Sequence, residues 1–282
     1  MIIALCNEVL AEMPFERQCE FAAATGYDGL ELAPFTLSSN TQPWEEIDAS
    51  RIRRVVESHG LIVTGLHWLL VAPEGLSMTD PDPAVYKRTM AVVSRLTALC
   101  AELGGRVLIH GSPKQRQIPP GQSRESAMSR LRDGLAYAAE CAARDDVIYC
   151  VEPLSRSETE LVNTVSEAVA LIQDIGHSSL RTMIDCSAAG LTESQSVPEL
   201  IRQWVPTGLI AHAQANDRNR RGPGQGEDKF RPILQALRDS RYQGVLSVEP
   251  FDYAPDGPAC AARSIGYLRG LMESLEPDGA TF

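Results

Sequence analysis

Three carboxylates stand at the ends of short apolar runs that lie far apart in the chain. Glu152 follows Val147–Val151 and precedes Pro153, Asp185 follows Met183 and Ile184, and Glu249 follows Leu246–Val248 and precedes Pro250. Other runs end in residues that bind or move protons: His67 closes 61–67, His110 closes 106–110, and His212 with Gln214 closes 209–214. Carboxylates gathered at apolar strand ends repel one another and lose their hydration, so a positive group must sit among them. Oxygen-rich ligation with at most one nitrogen fits one divalent Mn2+, Mg2+ or Co2+ ion better than a structural zinc, with Zn2+ still open. The competing reading, a carboxylate that caps the next helix, explains any one of the three positions but explains all three together poorly.

For His67 and His110 two roles stay open, a rim residue that touches substrate or a ligand. His212 shares its strand face with Gln214, so it either supports a metal from behind or sits in the core. The turn Gly111–Arg116 offers Lys114 and Arg116 to a phosphate or carboxylate at the mouth, unless it is only a basic surface turn. Glu31 and Trp68, next to other run ends, either shape the pocket or pack.

Strands must bring these residues together. Eight β-type runs are legible at 2–6, 29–32, 61–67, 106–110, 147–152, 182–185, 209–214 and 245–249, separated by stretches long enough for crossover helices. The clearest helix is Pro83–Leu103, with Asp82 as N-cap and Gly104 and Gly105 as its stop. Eight such units in 282 residues predict an α/β fold, one (β/α)8 TIM barrel over 1–282. A doubly wound sheet is second, because the first loop, Cys6–Val9, lacks a glycine-rich phosphate turn. In a barrel all strand ends converge on one face, which is where such enzymes work. The Gly/Pro-rich stretch 222–226 falls inside the seventh loop, and the tail from Glu276 reads as a frayed end.

With 26 basic against 37 acidic residues, the net charge of −11 opposes nucleic acid and anionic membranes. No run approaches the length of a membrane span and the first residues lack a signal pattern, so a cytoplasmic protein is expected. Its seven cysteines, without a Cys-x-x-Cys pair, are expected to be reduced core thiols.

Glu152 with Glu158 six residues later, Asp185, the segment His212–Arg220 and Ser247–Phe251 together resemble the xylose isomerase-like barrel superfamily. The nearest branch is the ketose 3-epimerases related to D-tagatose 3-epimerase. The resemblance spans nearly the whole chain and is tightest in units five to eight. It implies a metal-dependent isomerase or epimerase of carbohydrate metabolism, active on a keto-sugar or related polyol through a stabilised enediolate. By position it makes Glu152, Asp185 and Glu249 metal ligands, with Glu152 and Glu249 also moving the proton. The family's fourth ligand, a histidine, is Gln214 here, whose amide oxygen can bind a hard cation. The resemblance adds Glu158 and Arg220 as substrate-binding residues to the strand-end His67 and His110 and to Lys114 of the turn after strand four; Arg220 can bridge two adjacent oxygens. Ala188 stands where the epimerases place a substrate-binding histidine, which opens the question of the substrate. The resemblance also implies a dimer or tetramer. Alternatives on the same barrel are a metal-dependent dehydratase or 3-keto-glycoside lyase, a non-catalytic sugar-binding barrel, and an AP-endonuclease-like enzyme, the last disfavoured by the charge.

Overall fold

The computed structural model describes residues 1–37 and 47–275. Eight strands form: β1 (Ile2–Cys6), β2 (Gly29–Leu32), β3 (Ile62–Leu66), β4 (Val107–His110), β5 (Ile148–Val151), β6 (Leu180–Asp185), β7 (Ile210–Ala215) and β8 (Val245–Val248). Each pairs in parallel with the next, and β8 returns to β1 to close the barrel. Register sets the site's level: Asp185 stands beside Gln214, Gln214 beside Ser247, and Cys6 beside Glu31. The tail read as a frayed end lies outside the described residues.

Parallel pairing requires crossovers, and helices supply them. They are α1 (Phe15–Thr25), α2 (Ala49–Ser58), α3 (Pro83–Glu102), α4 (Arg124–Arg144), α5 (Val165–Ile175), α6 (Cys186–Thr192), α7 (Val197–Trp204), α8 (Phe230–Asp239) and α9 (Gly257–Glu273). In α3 the Asp82 carboxylate accepts from the Ala84 N–H at 2.8 Å, and Thr89, Val92, Leu96 and Leu99 are buried along one side. Gly104 at φ +83° ends it, a conformation that suits a residue without Cβ.

Strand side chains alternate between two environments. Ile3, Leu5, Leu30, Leu32 and Leu66 face the helices in the main core. Each such buried side chain contributes about 1.5–3 kcal/mol. Inside the barrel, Ile109, Cys150 and Met183 form a small apolar floor. Above that floor the interior turns polar, toward the C-terminal ends of the strands. All seven cysteines are buried and free. Among the described residues, no helix is long and apolar enough to cross a membrane.

Candidate functional site

Glu152 and Glu249 each come one residue after a strand, and Asp185 is the last residue of β6. One oxygen from each of the three lies within 4.8 Å of the other two, and none of the residues is more than 5% exposed. The fold thus gathers carboxylates that the sequence separates by up to 97 positions (249 minus 152).

Asp185 does two things. Its Oδ1 accepts from the Ala188 N–H at 2.6 Å, so it does cap α6, while Oδ2 accepts from Asn216 Nδ2 at 2.7 Å. Asn216 also donates to the Glu249 carbonyl at 3.2 Å and accepts from the Ser187 N–H at 2.8 Å, tying two of the carboxylate positions together. Gly111 lies against Glu152: a Cβ there would overlap Glu152 Oε2. Arg116, fully buried, donates through Nη2 to the Glu152 carbonyl, and its Nε and Nη1 have no partner.

Gln214 is fully buried as well. Its Nε2 donates to Glu31 Oε1 at 3.3 Å, and its Oε1 is left without a partner. Glu31 further accepts from Ser247 Oγ at 2.8 Å and from the Cys6 thiol at 3.4 Å, with His212 Nε2 2.9 Å from its Oε2. His212 therefore supports the site at one remove, through Glu31.

A second group of potential ligands, Cys6, Glu8, His67 and Glu249, also brings its donor atoms within 4.8 Å of one another. Most of its charge is answered internally. His67 Nε2 is 2.7 Å from Glu8 Oε2 and Nδ1 is 3.8 Å from Glu31. Burial opposes a charge on His67, yet Glu8 and then Glu31 raise its pKa. Burial, followed by Glu31 and Glu8, pushes the Cys6 thiol well up, so it keeps its proton in the metal-free protein.

The three gathered carboxylates have no such answer. Burial, then Asp185, raises Glu152 well above the usual carboxylate range, with Arg116 opposing. Burial, then Glu152 and Glu8, does the same to Glu249. Asp185 rises to about 6 through burial, against the hydrogen bonds from Ala188 and Asn216. A divalent cation removes this repulsion, and the donor set suits one: three carboxylates and an amide oxygen, all hard oxygens. The orphaned Gln214 oxygen is the independent sign that the set fits such an ion.

Two adjoining cavities open on this group. One is lined by His67, Trp68, Gly111, Glu152 and Glu249, and the other, of about 130 Å³, by Asp185, Ala188, Arg220 and Leu191; both touch Glu158 and Phe251. Arg220 lies 3.8 Å from Glu158 Oε1 with its guanidinium 4.7 Å above the Phe251 ring, and Trp68 meets the same ring edge-on at 6.1 Å. Trp68 and Arg220 hold φ of +53° and +69°. Such backbone costs about 1–3 kcal/mol and survives only where surroundings impose it. Here the Phe251 and Asp252 N–H groups both donate to the Arg220 carbonyl. A larger cavity of about 370 Å³, lined by Met1, Leu234, Tyr242 and Met272, lies at the other end of the strands and contains none of these carboxylates.

Two residues expected to bind substrate are placed elsewhere. His110 alternates with Ile109 and Gly111, which line the cavity, so its ring points away from it and bonds Tyr149 Oη at 2.8 Å. Burial and the nearby Arg116 charge bring His110 down to about 3. Lys114 is exposed on a short 3-10 turn, whereas Arg116 of the same turn is buried behind Glu152. His67, Glu158 and Arg220 do line the cavities. Asn216 and Glu8 escaped the sequence reading. Asn216 was within reach, since it follows Gln214 by two and β7 alternates; Glu8 belongs to an irregular turn with no period to follow.

The description of xylose isomerase-like TIM barrels matches residues 19–271 of the chain. The chain is similar to the probable ketose 3-epimerase of Synechocystis sp., 24% identical over 262 residues that cover 91% of this chain and 85% of the relative. It is 27% identical over 236 residues to the D-psicose 3-epimerase of Agrobacterium fabrum, covering 82% and 78% of the two chains. The crystal structure of a D-psicose 3-epimerase determined in the presence of D-fructose superposes with a TM-score of 0.81 at 22% identity, covering 96% of this chain and 99% of the other. The chain belongs to the xylose isomerase-like TIM barrel family.

Proposed function

We propose that the protein is a divalent-metal-dependent epimerase of a ketose or related keto-sugar, an isomerase-class enzyme. The observation that carries this reading is the set of three buried, mutually repelling carboxylates, one of which, Asp185, pairs in register with Gln214, whose amide oxygen has no partner. Glu152, Asp185, Gln214 and Glu249 would hold the ion. When bound, the ion supplies Lewis acidity that favours loss of a proton beside a sugar carbonyl, giving an enediolate.

The chain's own residues perform the proton transfer. One of Glu152 and Glu249 takes the proton from the carbon next to the carbonyl, and the electron pair left behind delocalises onto the carbonyl oxygen. Return of a proton by the other glutamate to the opposite face of the same carbon inverts the centre, whereas delivery to the former carbonyl carbon, with the hydroxyl proton passing to the other oxygen, would give aldose–ketose exchange. Without the ion, burial and mutual repulsion hold both glutamates above the usual carboxylate range; the ion would offset that rise and leave them ionised to accept a proton. Arg220, Glu158 and His67 offer polar contacts to sugar hydroxyls, and Trp68 with Phe251 forms an apolar wall for the C–H face. Support for a ketose comes from the named activities of the similar proteins, a ketose 3-epimerase and a D-psicose 3-epimerase.

The deciding experiment incubates the Mn2+-loaded protein with D-fructose or D-psicose in D2O and follows the sugar by NMR. Deuterium beside the carbonyl, together with interconversion of the two epimers, is expected. Loss of water in place of epimer formation would transfer the protein to the dehydratases.

A further inference from the structure

Gln214 poses a problem that a histidine ligand does not. The two ends of an amide are alike in shape, and its last torsion is soft, so nothing intrinsic to glutamine selects which end meets a cation. The wrong end presents N–H donors to a positive charge. The orientation must therefore be imposed from behind.

Glu31 is placed to impose it. It is fully buried on β2, across the barrel from β7, and its Oε1 receives Gln214 Nε2 at 3.3 Å. An ionised carboxylate only accepts, so the amide must offer its nitrogen. The carboxylate itself is pinned. Ser247 Oγ donates to Oε2 at 2.8 Å and His212 Nε2 lies 2.9 Å from the same oxygen, which leaves Oε1 to accept from Gln214 and the Cys6 thiol. Donors from β1, β7 and β8 thus immobilise one acceptor, and the amide oxygen is the atom left over, buried and unpartnered.

We propose that Glu31 is a positioning residue of the metal site: by holding the Gln214 amide through its nitrogen, it turns the amide oxygen toward the ion. The inference rests on the reading of Gln214 as a ligand. It assigns to Glu31 a task in metal affinity that is separate from its packing within the barrel.

Isothermal titration of metal-stripped protein with Mn2+ tests it, alongside thermal unfolding without metal. Glu31→Gln is expected to weaken Mn2+ binding about 10- to 100-fold, the usual effect of losing a group that orients a ligand. The exchange variant Glu31→Gln/Gln214→Glu provides the rescue. Its carboxylate at position 214 has two equivalent oxygens and accepts from the amide at position 31, so affinity returns to within about tenfold of the parent's, or exceeds it. A role in packing alone would lower the melting temperature of both variants without restoring affinity in the second. Should Glu31→Gln fail to fold, Glu31→Asp keeps the charge facing His212 while drawing back from Gln214, and the same loss is expected. Mn2+ affinity within threefold of the parent's in a folded Glu31 variant, or an exchange variant no better than Glu31→Gln, overturns the proposal. Gln214→Ala and Glu152→Gln separate this from the underlying reading. Unchanged affinity in those two removes the metal site itself, whereas lowered affinity there with none lost at Glu31 removes only the positioning role.

Discussion

Glu31 and Glu152 are buried to nearly the same degree inside one barrel, at 0% and 5% exposure, yet their surroundings drive them in opposite directions. Burial alone would raise Glu31, but His212, His67 and Ser247 outweigh it and bring the carboxyl down to about 2. Glu152 meets the same burial with Asp185 beside it, and only Arg116 opposes the rise. Desolvation sets the cost of a buried charge; the donors within reach decide whether that cost is met. Around Glu31 the chain supplies those donors itself, from Cys6, Gln214 and Ser247. Around Glu152, Asp185 and Glu249 it supplies too few, which is the gap the proposed cation would fill.

The largest expected effect falls on the carboxylates that lack donors. Glu152→Gln and Glu249→Gln should each lower turnover by about 10²- to 10⁴-fold while leaving the metal-free protein at least as stable, because each removes a repelling charge. Gly111→Ala should depress turnover in the same direction, since its new methyl displaces the Glu152 carboxylate. Steady-state rates paired with melting curves check all three. Near-parental turnover in both glutamine variants would end the contrast.

A smaller effect appears in pH dependence. Asp185 has its pKa raised from 3.8 to about 6 in the fold, so its contribution to stability is fully present below 3.8 and is lost as pH rises through 6. The displacement is worth on the order of 3 kcal/mol. Metal-free protein should therefore lose stability relative to Asp185→Asn between pH 4 and 7, and Mn2+ should restore more of it at the upper end, where the ligands have released their protons. Parallel stability curves for the two proteins across that range would contradict the assignment.

The smallest concerns the mouth, where charge is already solvated. Arg220→Lys keeps the charge but loses the planar fork over Phe251, and KM for the ketose should rise about tenfold with kcat within a fewfold. A fall in kcat with KM unchanged would place Arg220 in the chemistry instead.

Much of this was legible before any coordinates. The eight strands follow from short β-branched runs spaced by helix-length stretches, and Glu152, Asp185 and Glu249 mark strand ends where a barrel must bring them to one face. Side-chain direction was harder to read at a boundary. His110 ends β4 as Asp185 ends β6, yet one faces the helices and the other the cavity, because neighbouring positions on a strand alternate and a one-residue change in phase reverses the outcome. The turn after β4 shows the same limit, since Lys114 and Arg116 differ by two residues and end in solvent and in the core.

Sequence by itself determined the barrel and the strand-end carboxylates, since periodicity and charge are written in the residue types. Only the tertiary structure decided that Glu31 pairs with Gln214, 183 positions away, that Arg116 lies behind Glu152, and that Glu8 reaches His67. Those contacts join residues of different β/α units that only the folded barrel brings together, and the direction of a hydrogen bond across such a gap has no counterpart in local spacing.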